Sequence, residues 1–301
     1  MTAELICIVG PTAIGKTSLS LKLAQFYSAE VLSADSRQFY QEMSIGTAVP
    51  SKEELQMAKH HFIQHISIHD DYNVGKFEQE ALKLLNRIFE KNDKAILVGG
   101  SGLYQKAVTE GLDVFPEIPQ NIRNKYNSIL EKKGIEILQK LLKDKDPEAF
   151  QSIDILNPRR LTRALEIIDV SGRSLNSFQN KNKTERKFNV TKIGLDAPRP
   201  VIYERIEQRV DKMIELGLVE EVHKLYPFRH LNALQTVGYR ELFSHFNGEM
   251  SLTKAIEEIK KNTRRFAKRQ LTWFKKDAEI RWFSYQTPVE DILKSLKTQK
   301  D

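Results

Sequence analysis

At 301 residues, with 40% hydrophobic and 29% charged side chains, the chain is long enough to bury a core and exceeds a typical single domain, so a core plus an inserted lobe is expected. This composition excludes a disordered or low-complexity chain; the longest apolar runs, at 5–9 and 95–98, exclude a membrane span, and the opening MTAELICIVG lacks the basic start and cleavage site of a secretory signal, so a cytoplasmic location is expected. The net charge of +7 and pI near 9.2 are compatible with a polyanionic partner, while the single Cys7, read as a small buried core residue, excludes an intramolecular disulfide and a multi-cysteine zinc site.

The chain opens with a predicted strand at 5–9, a glycine loop at 10–15 and a helix from 16 to 27, the start of an α/β nucleotide-type fold. A second short strand follows at 30–34. Within 76–91, Phe77, Ala81, Leu84, Leu85 and Ile88 recur at a helical period, and AILVGG then reads as a buried parallel strand. This βαβ pattern holds to about residue 111. From Asp113, PEIPQ opens helical patterns that run to about Ser177, where the polar segment QNKNKTERK intervenes. KFNVTKIGLD reads as a strand returning to the core, and the chain is predicted to be mainly helical from there on. No repeat recurs at a period of about 20–50 residues, which excludes a solenoid. The expected architecture is α/β: a P-loop-type parallel sheet flanked by helices, formed by 1–112 and 188–301, with an inserted all-helical domain at 113–187.

Gly10-Pro11-Thr12-Ala13-Ile14-Gly15-Lys16-Thr17 fits G-x-x-x-x-G-K-[ST] between an apolar strand and a helix, the context that gives the pattern its meaning. Glycines let backbone amides converge on phosphate oxygens, the helix N-terminus adds a favourable dipole, Lys16 supplies charge, and Thr17 offers a hydroxyl to magnesium. An NTPase of this type also places a carboxylate at the end of a hydrophobic strand. Here the strand at 95–98 ends in Gly99-Gly100-Ser101-Gly102, which argues against ordinary ATP hydrolysis; whether those glycines admit a ligand or only make a tight turn stays open.

The second strand ends in Ser33-Ala34-Asp35-Ser36-Arg37-Gln38-Phe39-Tyr40, at the sheet edge where open α/β folds place their ligands. Asp35 reads equally as a functional carboxylate and as a helix N-cap. Phe39 and Tyr40 read as core in preference to stacking surfaces.

GPTAIGKT, SADSRQFY, GTAVPS, HHFIQHI, VGGSGLY, NPRRLTRALEI, LDAPR, TVGYREL and NTRRFAKRQLTWF, together and in this order, resemble the bacterial tRNA dimethylallyltransferases (tRNA isopentenyltransferases) from about residue 5 to 284. The tail from about Thr287 carries no part of the resemblance. It implies a P-loop-type core that carries the inserted helical domain and uses Mg2+ and dimethylallyl diphosphate; separately, a monomer with no obligatory protein partner is expected. The acceptor it implies is tRNA, at the exocyclic amine of the adenosine immediately 3′ of the anticodon, in tRNAs reading codons that start with U. By the same resemblance residues 10–17 bind the donor diphosphate, Asp35 meets the adenine amine, and Ser36, Arg37 and Gln38 contact the flipped nucleotide and its neighbours. Further tRNA contacts are implied at Ser101, Arg123, Arg159, Arg160, Leu161, Thr162 and Arg163. Family members often carry threonine in place of Ser101 and serine in place of Ile14; neither departure removes a required group.

The chemistry is consistent with those residue types. An adenine amine is a poor nucleophile, so the donor must be a good electrophile, and an allylic diphosphate is one. Loop amides, Lys16 and a Thr17-bound magnesium would stabilise the departing diphosphate, and Asp35 would take the amine proton. Arg205 and Arg209 are candidates for the diphosphate pocket, with a solvated helix face as the alternative. A base inside an anticodon loop must leave its stack to react. Between Lys254 and Lys276, nine basic residues stand against Glu257 and Glu258, an excess equal to the net charge of the whole chain, and this stretch is the expected footprint of RNA. Rival readings are a P-loop small-molecule kinase, isopentenyl transfer to free AMP, and a non-catalytic RNA-binding module; whether ATP binds is left open.

Overall fold

The computed structural model describes residues 3–178 and 184–297. The predicted polar segment at 179–187 therefore lies partly outside the described residues, as do the last residues of the tail.

Alternation along the first strand dictates the layering. In β1 (Glu4–Val9), Ile6 and Ile8 enter one hydrophobic cluster while Leu5 and Cys7 enter another, so both faces of the strand are covered. α1 (Lys16–Tyr27) adds Leu19 and Leu23 to the first cluster, and β2 (Glu30–Ser33) follows. A short α2 (Lys52–Met57) and a two-residue β3 (His60–His61) lead to α3 (Val74–Phe89). The α3 stripe of Phe77, Ala81, Leu84, Leu85 and Ile88 fills the second cluster, each large side chain contributing about 1.5–3 kcal/mol by burial. Asn73 caps α3 by accepting the Gly75 and Lys76 amides at 3.0 and 3.1 Å. β4 (Lys94–Val98) and α4 (Gly102–Glu110) complete the first half.

The described residues divide into two compact units, 3–110 with 185–297, and 111–178 with 184. The second is helical: α5 (Gln120–Lys133), α6 (Ile135–Lys145), α7 (Pro147–Ser152) and α8 (Pro158–Ser171). They close on a core of their own that includes Tyr126, Leu138, Leu142, Leu161 and Leu165. Asp169 ties three of these helices, accepting from the Tyr126 hydroxyl and Lys125 at 2.6 Å and pairing with Lys145. Partial burial of Asp169 works against its charge, but the hydrogen bonds from Lys125, Lys145 and Tyr126 outweigh it and hold the carboxyl down at about 2.

The first unit resumes with β5 (Asn189–Asp196), α9 (Arg199–Glu215), α10 (Leu218–Leu225), α11 (Tyr239–Phe246), α12 (Leu252–Phe274), β6 (Ile280–Ser284) and α13 (Val289–Lys297). All strand pairs are parallel, in the order β3-β2-β4-β1-β5-β6. β1 is central, with Leu5 opposite Ala95 on one side and Val190 on the other. Two differences from the sequence expectation stand out: β6 lies in the stretch expected to be mainly helical, and β3 was not expected. Among the described residues, no helix is long and apolar enough to cross a membrane.

Candidate active site

The phosphate loop leaves the central strand through Gly10, whose φ is +143° and whose position is hemmed in: a Cβ there would lie 2.6 Å from the Leu195 carbonyl oxygen on β5. Only glycine suits both conditions. Ile14 is 2% exposed and anchors the loop in the core, so its contribution to any ligand is through the backbone. Lys16 opens α1, and its Nζ donates to the carbonyls of Gly10 at 3.0 Å and Pro11 at 2.8 Å. Burial lowers the Lys16 pKa to about 8, against the pull of the Asp35 carboxylate.

A cleft of about 750 Å³ lies over this loop, lined by Thr12, Ala13, Ile14, Gly15, Lys16 and Thr17 and also by Asp35 and Gln38. Gly10 and Pro11 are not part of its lining; their carbonyls hold Lys16. No helix begins after Asp35. Instead its Oδ1 accepts the Arg37 amide at 3.2 Å in a turn, while Oδ2 has no protein hydrogen bond among the described residues. The sequence left Asp35 open between a helix cap and a cleft carboxylate; the structure removes the helix.

Two arginines of α9 reach into the cleft. Arg205 Nε donates to the Ala13 carbonyl at 2.8 Å, and an Arg209 nitrogen lies 3.2 Å from the Thr12 hydroxyl. Both therefore meet the phosphate loop in place of pairing along their own helix. Burial pushes Arg209 below the usual guanidinium value, with Asp35 and Glu54 opposing, and a guanidinium stays charged there.

Other expected contacts are held by the protein itself. Ser36 and Ser101 meet hydroxyl to hydroxyl at 3.2 Å, and the Ser36 amide donates to the Ser101 hydroxyl at 3.1 Å. Arg37 donates to the carbonyls of Asn232 at 3.0 Å and Ala233 at 2.8 Å. Gln38 donates to the carbonyls of Thr47 and Ala48 and accepts from Ser33, bracing the segment that forms another wall of the cleft. Phe39 and Tyr40 are buried, with Phe39 ringed by His65, Tyr72, Phe77 and Tyr104.

Sequence reasoning missed Gln270. From α12 its side-chain oxygen accepts the Thr12 amide at 2.9 Å and its amide donates to the Gly100 carbonyl at 3.0 Å. Its sequence signal was weak, an uncharged polar residue in a strongly basic helix that also carries Thr253, Asn262, Thr263 and Thr272. The same helix explains the glycines after β4: a Cβ at Gly100 would lie 2.2 Å from Gln270, and one at Gly102 would lie 2.1 Å from Trp273. That close approach is by protein, so neither a ligand nor a tight turn is needed to account for these two glycines.

In the helical unit Arg123, Arg159 and Arg160 are exposed, and Arg163 is half-exposed, 3.5 Å from Glu166 and over the Phe115 ring. Leu161 is fully buried, and Thr162 is buried with its hydroxyl on the Arg159 carbonyl at 3.2 Å. Helical periodicity turns these two side chains inward, toward the core of the helical unit, while the arginines around them lie on its outer face.

The basic helix α12 is less bare than its sequence implies. Lys254 and Lys261 pair with Glu257 and Glu258, Lys260 with Asp211 at 2.6 Å, Arg264 with Glu207 at 2.7 Å and Lys275 with Asp196 at 2.9 Å. Lys268 and Arg269 are exposed, Arg269 stacking on Phe266. Glu110, Asp277 and Glu279 approach one another at metal-ligand spacing, but Lys192 Nζ sits among them at 2.7, 2.6 and 3.1 Å and supplies the cation. Among the oxygen donors that line the cleft are Thr17, Asp35 and Glu54, residue types that suit a hard divalent cation such as magnesium, although Glu54 also accepts the Ser51 amide at 2.8 Å.

Comparison with known proteins agrees with this layout. A family model described as IPP transferase matches residues 38–277. The chain is 56% identical to a tRNA dimethylallyltransferase of Christiangramia forsetii over 99% of both chains, and 55% identical to one of Flavobacterium johnsoniae over 96% of both. Among solved structures it resembles the full-length tRNA isopentenylpyrophosphate transferase of Bacillus halodurans, with 36% identity, a TM-score of 0.72, and 98% of this chain and 95% of that one covered. It also resembles a eukaryotic dimethylallyltransferase acting on tRNA, with 25% identity, a TM-score of 0.81, and 99% and 77% covered.

Proposed function

Since the chain belongs to the IPP transferase family, we propose that it transfers a dimethylallyl group from dimethylallyl diphosphate to tRNA, onto the exocyclic amine of the adenosine immediately 3′ of the anticodon in tRNAs reading codons that start with U, and releases diphosphate. The observation that carries the mechanism is that Lys16, Arg209 and Asp35 line one cleft with the phosphate loop. Loop amides, Lys16, Arg205 and Arg209 hold the diphosphate and stabilise the charge that grows on its oxygens as the carbon–oxygen bond breaks. Oδ2 of Asp35 accepts the hydrogen of the amine and takes its proton as the carbon–nitrogen bond forms. Mg2+, held by Thr17 with the cleft carboxylates nearby, would neutralise part of the diphosphate charge. The exposed arginines of the insertion, Arg123, Arg159, Arg160 and Arg163, with Lys268 and Arg269 of α12, are assigned to the tRNA backbone. This reading carries with it a cytoplasmic location and a monomeric enzyme.

A kinase reading is weaker because β4 ends at Val98 and is followed by Gly99 in place of a carboxylate, and the cleft carboxylates lie elsewhere, on Asp35 and Glu54. The test is incubation with dimethylallyl diphosphate, magnesium and unmodified tRNA, followed by digestion and mass measurement of the nucleosides. Prenylated adenosine together with diphosphate is expected. Magnesium-dependent nucleoside triphosphate hydrolysis with no prenylated product would overturn the reading.

A further inference from the structure

We propose that Glu221, a carboxylate of α10 outside the lining of the cleft, is a positioning residue for the transfer step: it fixes the segment at 44–50 that walls the cleft beside Asp35, an inference that rests on the prenyl-transfer reading above. One Glu221 oxygen accepts the amides of Ser44 at 3.0 Å and Ile45 at 2.8 Å, and the other accepts the Gly46 amide at 3.0 Å and the Tyr239 hydroxyl at 2.6 Å. An ionised carboxylate offers about four lone-pair sites, and these donors fill them.

The local sequence explains the need for such a hold. Segment 44–50 is neither helix nor strand, so its amides have no ladder to join. Successive backbone amides in a turn make an anion-binding concavity, and here the protein fills it with its own side chain. Gly46 permits the approach: a Cβ there would lie 2.6 Å from the Tyr239 ring, so the segment rests on that fully buried ring. Burial, and then the Glu221 charge, raise the Tyr239 pKa and keep its hydroxyl a donor.

The hold passes along the backbone into the cleft. The Ser44 carbonyl accepts the Val49 amide at 3.1 Å and the Ile45 carbonyl accepts the Ala48 amide at 3.0 Å, so residues whose amides Glu221 holds carry two residues of the cleft wall on their carbonyls. Gln38 grips the same wall at the Thr47 and Ala48 carbonyls. Ala48 has a φ of +51°, a left-handed conformation that a residue with a Cβ keeps where its surroundings over-determine it. Thr47 and Ala48 also line, with Asp35 and Arg209, a small pocket beside the cleft. The phosphate loop has ties of its own, to Gln270 and through Lys16. Loosening 44–50 therefore disturbs the space next to Asp35 and leaves the diphosphate site in place.

Glu221→Gln is the least disruptive test, because it keeps the shape and sets an amide donor against backbone donors. Gly46→Ala reaches the same segment from the ring side if the glutamine variant does not fold, and Glu220→Gln, an exposed neighbour on the same helix, removes the same charge as a control. Three quantities are read: single-turnover transfer at saturating tRNA and dimethylallyl diphosphate, the affinity for inorganic diphosphate with magnesium by calorimetry, and hydrogen exchange of the amides at 44–49. For Glu221→Gln the rate is expected to fall about 10–100-fold, with diphosphate affinity within about twofold of wild type and protection lost at 44–46 and at 48–49 together. The Glu220→Gln variant should match wild type. A near-normal rate in a variant that only melts earlier overturns the proposal, and so does a diphosphate affinity that falls with the rate, faster exchange confined to 44–46, or an equal loss in Glu220→Gln. A wild-type protein that transfers nothing would sink the prenyl-transfer reading instead, and the exchange pattern would still judge whether Glu221 holds the wall.

Discussion

Gln270 holds Thr12: its side-chain oxygen accepts the Thr12 amide at 2.9 Å while the other end of the same amide group is fixed to the Gly100 carbonyl. The phosphate loop is thereby tied to the turn after β4 by one buried side chain. Gln270→Ala is expected to leave both backbone groups without a partner at a cost of about 1–3 kcal/mol and to raise the KM for the donor. Chemical denaturation and donor titration on the same variant check this; unchanged donor affinity would show that the loop keeps its shape without the tie.

Asp35→Asn separates chemistry from structure. Asparagine keeps an oxygen for the Arg37 amide, so the turn should survive and donor binding should be near normal, but it accepts no proton. Single-turnover transfer should fall by about 10²–10⁴. A rate within a few-fold of wild type would remove Asp35 from the proton path.

Lys16 gives a pH signature. Burial lowers it from 10.5 to about 8, so its charge in the free protein is complete below that pH and is lost above it. Affinity for dimethylallyl diphosphate should be flat up to about pH 8 and then fall by at most about tenfold per unit. Stability runs the other way: between about 8 and 10.5 the unfolded chain binds the extra proton, so this group's contribution rises with pH. Lys16→Arg should abolish the inflection in donor affinity, because a guanidinium keeps its charge.

On α12 the ion pairs divide the basic residues into two groups. Lys268→Glu with Arg269→Glu should weaken tRNA binding and flatten its dependence on salt, since both side chains are exposed and neither forms one of those ion pairs. Arg264→Glu should act differently, because it also breaks the pair with Glu207 and sets two carboxylates together. Filter binding across a salt series distinguishes them; identical slopes for the double variant and wild type would free the helix of any role in RNA binding.

Lys192 is a structural cation. Burial works against its charge, yet the hydrogen bonds it donates to Asp277, Glu110 and Glu279 hold its pKa above the ordinary lysine value. Lys192→Met should destabilise the protein by up to about 3 kcal/mol, softened because Glu279 is 60% exposed and stays hydrated. Added magnesium or calcium should restore little of that loss if the three carboxylates lack metal geometry, which a melting curve in each ion reads directly.

The sequence made much of this legible where one signal dominates. The run ELICIV followed by a glycine loop leaves little freedom, and the structure has β1 and α1 where the pattern put them. β6 was not legible, because IRWFS is a single short, half-buried run whose strand state depends on β5 lying beside it. Leu161 and Thr162 show the converse: family resemblance marks a stretch, while burial is set by which helical positions face the core. Gln270 was invisible for a different reason, since its two partners lie 258 and 170 positions away and no local pattern announces them.

The sheet order has a consequence for synthesis. β1 is the first strand to be made, yet it lies between β4 and β5, and β5 begins at Asn189. Until about 190 residues have left the ribosome, one edge of the most buried strand has no partner, and Gln270 comes still later to fix the phosphate loop. The nascent chain therefore carries an unpaired, strongly apolar edge through most of its translation, the condition under which strands pair with the wrong neighbour. Ribosome-bound fragments ending before β5 are the species in which chaperone dependence and aggregation should concentrate.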